Sequence, residues 1–305
     1  MGTIFLVGPT AVGKSAVAVE LAERLGAEIV SADSMQVYRG LDIGTAKPTA
    51  AERARVRHHL IDVCEINEVF DVRRYVELAQ AVLARLQVAV VVGGTGMYIR
   101  ALRHGLFDGP GRQPQLRSRL EAMSTAELFA ELQRVDPQTA SRIDRHNPRR
   151  LVRALEVFYA TGKPIAELQT QWAKRCTGDA PPIFGLQRDR ADLVARIERR
   201  IDQQMAAGWL EETRALMERC PLPSGAGLGT HVGTVWQAAG YRELAAHLRG
   251  EISLAEAVAR IKLRTRQLAR RQMTWFRREP GIRWLAVEAD ELPGETARRI
   301  LSELE

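Results

Sequence analysis

The chain has 305 residues, 46% hydrophobic and 27% charged, enough for two domains or for one domain with an insertion. No run of about 18 apolar residues occurs and no basic stretch precedes the first apolar run, so neither a membrane span nor a secretory signal is expected. The formal charge of +7 suggests a polyanionic partner without identifying it.

Residues 3–7 form a short apolar run suited to a buried strand. GPTAVGKS follows, eight residues that match the P-loop pattern: Gly8, Pro9, Thr10, Ala11, Val12, Gly13, Lys14 and Ser15. In such a loop, glycines let backbone N–H groups face phosphate oxygens. Lys14 adds a point charge, and the Ser15 hydroxyl can hold Mg²⁺. Residues 14–25 carry apolar positions at helical spacing, with Gly26 as the stop. The second strand is expected over 28–32 and ends at Asp33-Ser34. Asp33 there could be a general base or a metal-shell carboxylate, or it could simply cap a turn. Its place beyond a strand end favours function.

His58-His59 reads as a structural pair, because no Cys or acidic ligand stands at metal spacing. Asp71 caps a helix expected to bury Val72, Tyr75, Leu78, Val82 and Leu86. Residues 88–92 are apolar and β-branched apart from Ala89, as in a strand buried on both faces. Most P-loop proteins that move a γ-phosphoryl group end a later strand in a metal-holding Asp. Here the strand ends in Gly93-Gly94-Thr95-Gly96, followed by a helix over 97–102. Two glycine loops at adjacent strand ends suit a diphosphate held from both sides.

From about residue 108 the strand signals stop. Asn147-Pro148 starts a helix to about Ala160, with Gly162 behind it. The core pattern resumes with a strand at 183–186, a helix over 189–207, a glycine-rich loop at 221–229 and a last strand at 283–287. Ser253 and Glu256 form a capping box for a long helix to about Arg278. That helix carries Arg260, Lys262, Arg264, Arg266, Arg270, Arg271, Arg277 and Arg278 with no acid between them. Solvated faces usually alternate sign, so this one is expected to bind phosphate backbone. Arg149, Arg150 and Arg153 repeat the argument on the earlier helix, whose Leu151, Leu155 and Phe158 are core. The seam of the long helix runs Leu254, Val258, Ile261, Thr265, Leu268, Gln272, Trp275, and its later half is expected to meet something polar. Cys64, Cys176 and Cys220 have no disulfide or metal spacing and read as free thiols.

The expected architecture is α/β, a P-loop NTPase-like doubly wound parallel sheet over 1–107 and 183–305, with a helical insertion domain over 108–182.

Six blocks, GPTAVGKS, SADSMQVYRGLDIGTAKP, VVVGGTGMY, NPRRLVRALEV, AAGYREL and RQLARRQMTWFR, closely resemble the tRNA dimethylallyltransferases. The blocks keep the family's order and spread over most of the chain. The departures are mild: Val12 and Ser15 where Ser and Thr are frequent, and Phe70-Asp71-Val72 where Phe-Ser-Val is common. The resemblance implies transfer of a dimethylallyl group from its diphosphate to N6 of the adenosine 3′ to the anticodon (position 37), assisted by Mg²⁺. It implies Asp33 as the base, Thr95 beside the reacting centre, and the loop from Thr10 to Ser15 on the donor diphosphate. For tRNA it implies Ser34, Met35, Gln36, Arg117, Arg149, Arg150, Leu151, Val152, Arg153, Gln237, Gly240, Tyr241, Arg242, Arg270, Arg271, Gln272, Thr274, Trp275 and Arg277, to which the charge run adds Arg266. A cytoplasmic monomer acting on the anticodon stem-loop, with no membrane partner, is expected. A prenyltransferase of free adenine nucleotides, a small-molecule P-loop kinase and a non-catalytic RNA-binding protein with a vestigial P-loop are the competing readings.

Overall fold

The computed structural model describes residues 2–106, 109–169, 181–222 and 234–304. Two compact units divide the chain: Met1–Arg103 with Ala180–Glu305, and His104–Asp179. Cys176 and the part of the expected 221–229 loop from residue 223 onward lie outside the described residues.

The first unit is built on a parallel sheet. Its strands are β1 (Thr3–Val7), β2 (Glu28–Ser31), β3 (His58–His59), β4 (Ala89–Gly93), β5 (Ile183–Gln187) and β6 (Ile282–Ala286). Their order is β3-β2-β4-β1-β5-β6, and each neighbouring pair is parallel. The histidine pair read as merely structural is itself a strand, bonded beside Ile29 and Val30. Two residues are too few to show a period of two, so the sequence carried no strand signal there.

Parallel neighbours need crossovers, and helices supply them. These are α1 (Lys14–Leu25), α2 (Ala50–Arg55), α3 (Val72–Leu83) and α4 (Gly96–His104). One core layer joins Val17, Ala18, Leu21 and Ala22 of α1 to Ile4, Leu6, Ile29, Val90, Phe184 and Leu285 of the strands. Helix α3 buries Tyr75, Val76 and Ala79, while Val72, Leu78 and Val82 are only half-buried, so its inward face is turned from the expected one.

Every regular element lying wholly among the described residues of the second unit is a helix: α5 (Pro114–Glu121), α6 (Thr125–Val135), α7 (Pro137–Ala140), α8 (Pro148–Thr161) and α9 (Ile165–Gln169). Asn147 caps α8 by accepting the Arg150 N–H, and Gly162 ends it at φ 68°. Leu120, Leu128, Leu132, Leu151, Val152 and Leu155 form its core.

The first unit then adds α10 (Arg190–Ala206), α11 (Trp209–Arg219), a 3₁₀ turn (Thr234–Gln237), α12 (Tyr241–Leu248), α13 (Leu254–Phe276) and α14 (Pro293–Ser302). Ala297 and Ile300 of α14 join the core layer of α1. The box expected at the start of α13 is half formed. Ser253 accepts the Glu256 N–H, but the Glu256 carboxylate goes to Arg260 at 2.6 Å. Among the described residues, no helix is long and apolar enough to cross a membrane.

Candidate active site

Three loops meet at the carboxyl ends of three neighbouring strands: the P-loop after β1, the Asp33 turn after β2 and the Gly94-Thr95 loop after β4. Register sets them level, since Val7 pairs with Gly93 and Ser31 with Val92.

The P-loop is held from outside by arginines. Arg188 Nε donates to the Val12 carbonyl at 2.9 Å, and Arg196 Nε to the Ala11 carbonyl at 3.0 Å. In a trans peptide the C=O and the next N–H point in opposite directions. The N–H groups of Val12 and Gly13 therefore face away from these arginines, into the loop. Gly13 starts α1 in the left-handed region (φ 110°) with no side-chain cap, so the first turn keeps its N–H groups for an anion. Arg200 Nη1 lies 3.4 Å from Thr10 Oγ1. Sequence reasoning missed these arginines. The signal was a row four residues apart, Arg188, Asp192, Arg196 and Arg200.

Burial pushes the Lys14 ammonium down to about 7, Arg200 pushes it further the same way, and Asp33 opposes both. Lys14 Nζ meanwhile donates to the Pro9 carbonyl at 2.5 Å. Burial also lowers Arg200, against the charge of Asp33. A desolvated lysine, a desolvated arginine and one carboxylate thus act on each other at the mouth of the loop. An incoming anion would restore full charge to the lysine.

Asp33 Oδ1 accepts the N–H groups of Met35 at 2.8 Å and Gln36 at 3.3 Å. The turn-capping role and a chemical one therefore coexist, because Oδ2 is left for another partner. Thr95 Oγ1 accepts the Ser34 N–H at 3.0 Å and donates to Ser34 Oγ at 3.4 Å. This staple holds the third loop against the Asp33 turn. Gly93 makes the approach possible: a Cβ there would lie 2.2 Å from the Ala32 carbonyl oxygen. Tyr98 of α4 stacks on Tyr75 at 4.1 Å, and burial with the charges around it, Asp33 included, raises its phenol.

Among the described residues no cluster of three or more His, Cys, Asp or Glu could cage a metal. Mg²⁺ does not require one, since it takes few protein ligands and shares itself with waters and phosphates. The Ser15 hydroxyl is exposed at the start of α1 and fits that kind of partial site.

Several residues assigned to tRNA are engaged elsewhere. Leu151 is 0% exposed and Val152 1%, and withdrawing either from its core would cost about 1.5–3 kcal/mol. Arg153 and Arg117 reach the fully buried Glu156 at 2.8 and 3.5 Å, so both serve to neutralise it. Tyr241 is 0% exposed, with its hydroxyl on Glu212 at 2.6 Å. Glu212 also takes the N–H groups of Asp42, Ile43 and Gly44. Gly240 is buried at φ 101°, and a Cβ there would lie 2.3 Å from Trp209. This block braces the 41–47 segment, to which Gln36 Nε2 is also bonded at Thr45 and Ala46. Gln237 is exposed and Arg242 half-buried.

The basic helix α13 divides in two. Lys262 pairs with Asp202 at 2.7 Å, Arg264 with the buried Glu243 at 2.5 Å, and Arg266 with Glu198 at 3.2 Å. The missing acids come from α10 and α12. Further along, Arg270, Arg271, Arg277 and Arg278 are exposed and have no ion pair among the described residues. Gln272 and Trp275 turn inward to the glycine loops, and Thr274 is exposed. In the other unit Arg149 and Arg150 are exposed at the start of α8.

The IPP transferase family model matches residues 36–279, starting just after the P-loop and Asp33. A tRNA dimethylallyltransferase of Anaeromyxobacter dehalogenans (strain 2CP-C) is 46% identical, over 98% of this chain and 99% of its own. Another, of Pelotomaculum thermopropionicum, is 44% identical over 93% of this chain and 90% of its own. Among solved structures, the tRNA isopentenylpyrophosphate transferase of Bacillus halodurans is similar, with a TM-score of 0.69 at 36% identity, covering 99% of this chain and 96% of that one. A eukaryotic dimethylallyltransferase solved acting on tRNA has a TM-score of 0.80 at 25% identity, covering 99% of this chain and 78% of that one. A glycine-loop cradle without a γ-phosphate aspartate, a carboxylate beside it and these full-length relatives agree: the chain belongs to the IPP transferase family.

Proposed function

We propose that the protein transfers the dimethylallyl group of dimethylallyl diphosphate to N6 of adenosine 37, 3′ to the anticodon, releasing diphosphate. The observation that carries this is the convergence of the P-loop, with half-buried Lys14, and the Asp33 turn at the carboxyl ends of one parallel sheet, where Lys14 and Asp33 influence each other's charge. That pairing suits an anionic leaving group beside an amine that must lose a proton.

The C1–O bond breaks and its electron pair leaves with the diphosphate. Positive charge spreads over the allyl unit. Lys14, Arg200 and the inward N–H groups of Val12 and Gly13 neutralise the leaving group. The N6 lone pair forms the new bond to C1. N6 is a poor nucleophile because its lone pair is delocalised into the ring, and Asp33 Oδ2 positions it and takes its proton late, as the bond to C1 forms, with Oδ1 anchored by Met35 and Gln36. Thr95 holds the Asp33 turn against the diphosphate loops. Ser15 with diphosphate oxygens would hold Mg²⁺, which adds charge neutralisation when bound.

The adenine must leave its stack, at a cost of about a few kcal/mol, and phosphate contacts offset that cost. Exposed arginines supply them in each unit: Arg270, Arg271 and Arg277 in one, Arg149 and Arg150 in the other. The protein is taken to act as a monomer in the cytoplasm, where tRNA is found.

Incubation with dimethylallyl diphosphate and total tRNA, followed by mass analysis of nucleosides, tests the proposal. N6-dimethylallyladenosine is expected, with ATP γ-phosphate release at background. Prenylation of free AMP with none in tRNA would overturn it, as would ATP turnover without prenylation.

A further inference from the structure

We infer that Gln272 is a positioning residue that clasps the two glycine loops and sets the distance between the diphosphate cradle and Asp33, an inference that rests on the prenyl-transfer reading above. Its carboxamide works in both senses. Oε1 accepts the Thr10 N–H at 2.8 Å, and Nε2 donates to the Gly94 carbonyl at 3.1 Å. The first loop follows β1 and the second follows β4, its neighbour in the sheet.

The bonds do not stop at Gly94. In the peptide joining Gly94 to Thr95, the carbonyl faces Gln272, so the N–H faces the opposite way. There it meets the Ala32 carbonyl at 3.2 Å. Ala32 directly precedes Asp33. One chain of hydrogen bonds therefore runs from Thr10, through the Gln272 amide and the Gly94-Thr95 peptide, to the residue before the carboxylate. The leaving group lies at one end and the proton acceptor at the other.

The fit leaves little slack. A Cβ on Gly94 would lie 2.3 Å from Gln272 Nε2, and one on Gly96 would lie 2.1 Å from Trp275 Cδ1. Helix α13 thus seats directly on backbone. Ala269 and Phe276, three before and four after Gln272, are buried on the same face. Arg270, Arg271 and Arg277 stand on the other side of the same turns. The clasp and the exposed cations share one rigid segment.

A carboxamide is the suitable group here. A carboxylate would lose the bond to Gly94 and bring negative charge toward the diphosphate. An apolar isostere would lose both bonds.

The test compares full-length wild type with Gln272→Met and Gln272→Glu. Inorganic diphosphate binding is read by calorimetry, anticodon stem-loop binding by anisotropy, and kcat and KM by prenylation. Gln272→Met should weaken diphosphate about tenfold and lower kcat about 10–100-fold, the scale of two lost bonds and a small misplacement. Stem-loop affinity should stay within about twofold, since no phosphate charge is removed. Gln272→Glu should lose more diphosphate affinity at neutral pH. As pH falls toward the carboxyl range, its protonated acid can accept from Thr10 and donate to Gly94, so the deficit should shrink. A purely structural defect would not recover in this way. Unchanged diphosphate affinity and kcat in Gln272→Met would overturn the clasp. So would a loss confined to stem-loop binding, which would place Gln272 on RNA. Retained stem-loop binding reports that each variant is folded. Wild-type turnover scores the prenyl-transfer reading and variant diphosphate affinity scores the clasp, so either can fail alone.

Discussion

The two halves of α13 have similar composition and opposite surroundings. In the first half Lys262, Arg264 and Arg266 face acids from α10 and α12. In the second half and just past its end, Arg270, Arg271, Arg277 and Arg278 are exposed, with no such partner among the described residues. A run of cations on a helix is therefore not a measure of charge available to RNA. Half of this one packs the helix against its neighbours, and that packing delivers Gln272 and Trp275 to the glycine loops. The paired half fixes the helix, and the open half keeps its cations exposed.

The comparison separates holding RNA from doing chemistry, and Asp33→Ala tests that division with the largest expected effect. Turnover should fall about 10²–10⁴-fold, the usual contribution of a positioned base, with stem-loop affinity and its salt slope unchanged. A parallel fall in RNA affinity would merge the two functions. Next, replacing Arg270, Arg271 and Arg277 together by Ala should weaken stem-loop binding about 10–100-fold and reduce the log–log salt slope by about 2–3. Lys262→Ala with Arg266→Ala should leave that slope in place, and equal slope changes in the two variants would erase the difference between the halves.

A smaller effect comes from pH. Free Lys14 titrates near 7 because burial disfavours its charge, and bound diphosphate raises that value. Diphosphate affinity should be full below pH about 7 and decline as pH rises through it, because the complex must then take up a proton. Calorimetry in buffers of different ionisation heat reads this uptake, and Lys14→Met should abolish its Lys14 component. The smallest effect is on stability. Tyr241→Phe removes one bond to Glu212 and should lower thermal stability by about 1 kcal/mol, with RNA affinity unaltered. A loss of RNA affinity instead would return Tyr241 to the RNA surface.

Much of the site was legible in the chain because its signals are local. The P-loop, the Asp33 turn and the Gly93–Gly96 sequence each lie within a few residues, immediately after an apolar run. What did not carry over was the reading of contiguous stretches as single surfaces. The resemblance gave the whole stretch from Arg149 to Arg153 to tRNA, but a helix turns Leu151 and Val152 onto the core face, as the apolar spacing already said of Leu151. Arg153 sits on the basic side of α8, yet a buried glutamate one turn on claims it. The arginines that grip the P-loop went unnoticed because nothing near them in sequence names their partner.

The sequence by itself determined the strand–loop–helix units, the glycine-loop cradle and the carboxylate beside it, because hydrophobic period and glycine position act over neighbouring residues. Tertiary structure alone decided which charges remain open and which polar groups lock the site. Arg266 meets Glu198 across 68 residues, and Thr10 meets Gln272 across 262. Such pairings follow from how the helices stack on the sheet, and burial then makes each partner obligatory, since a polar group removed from water must bond or be destabilised.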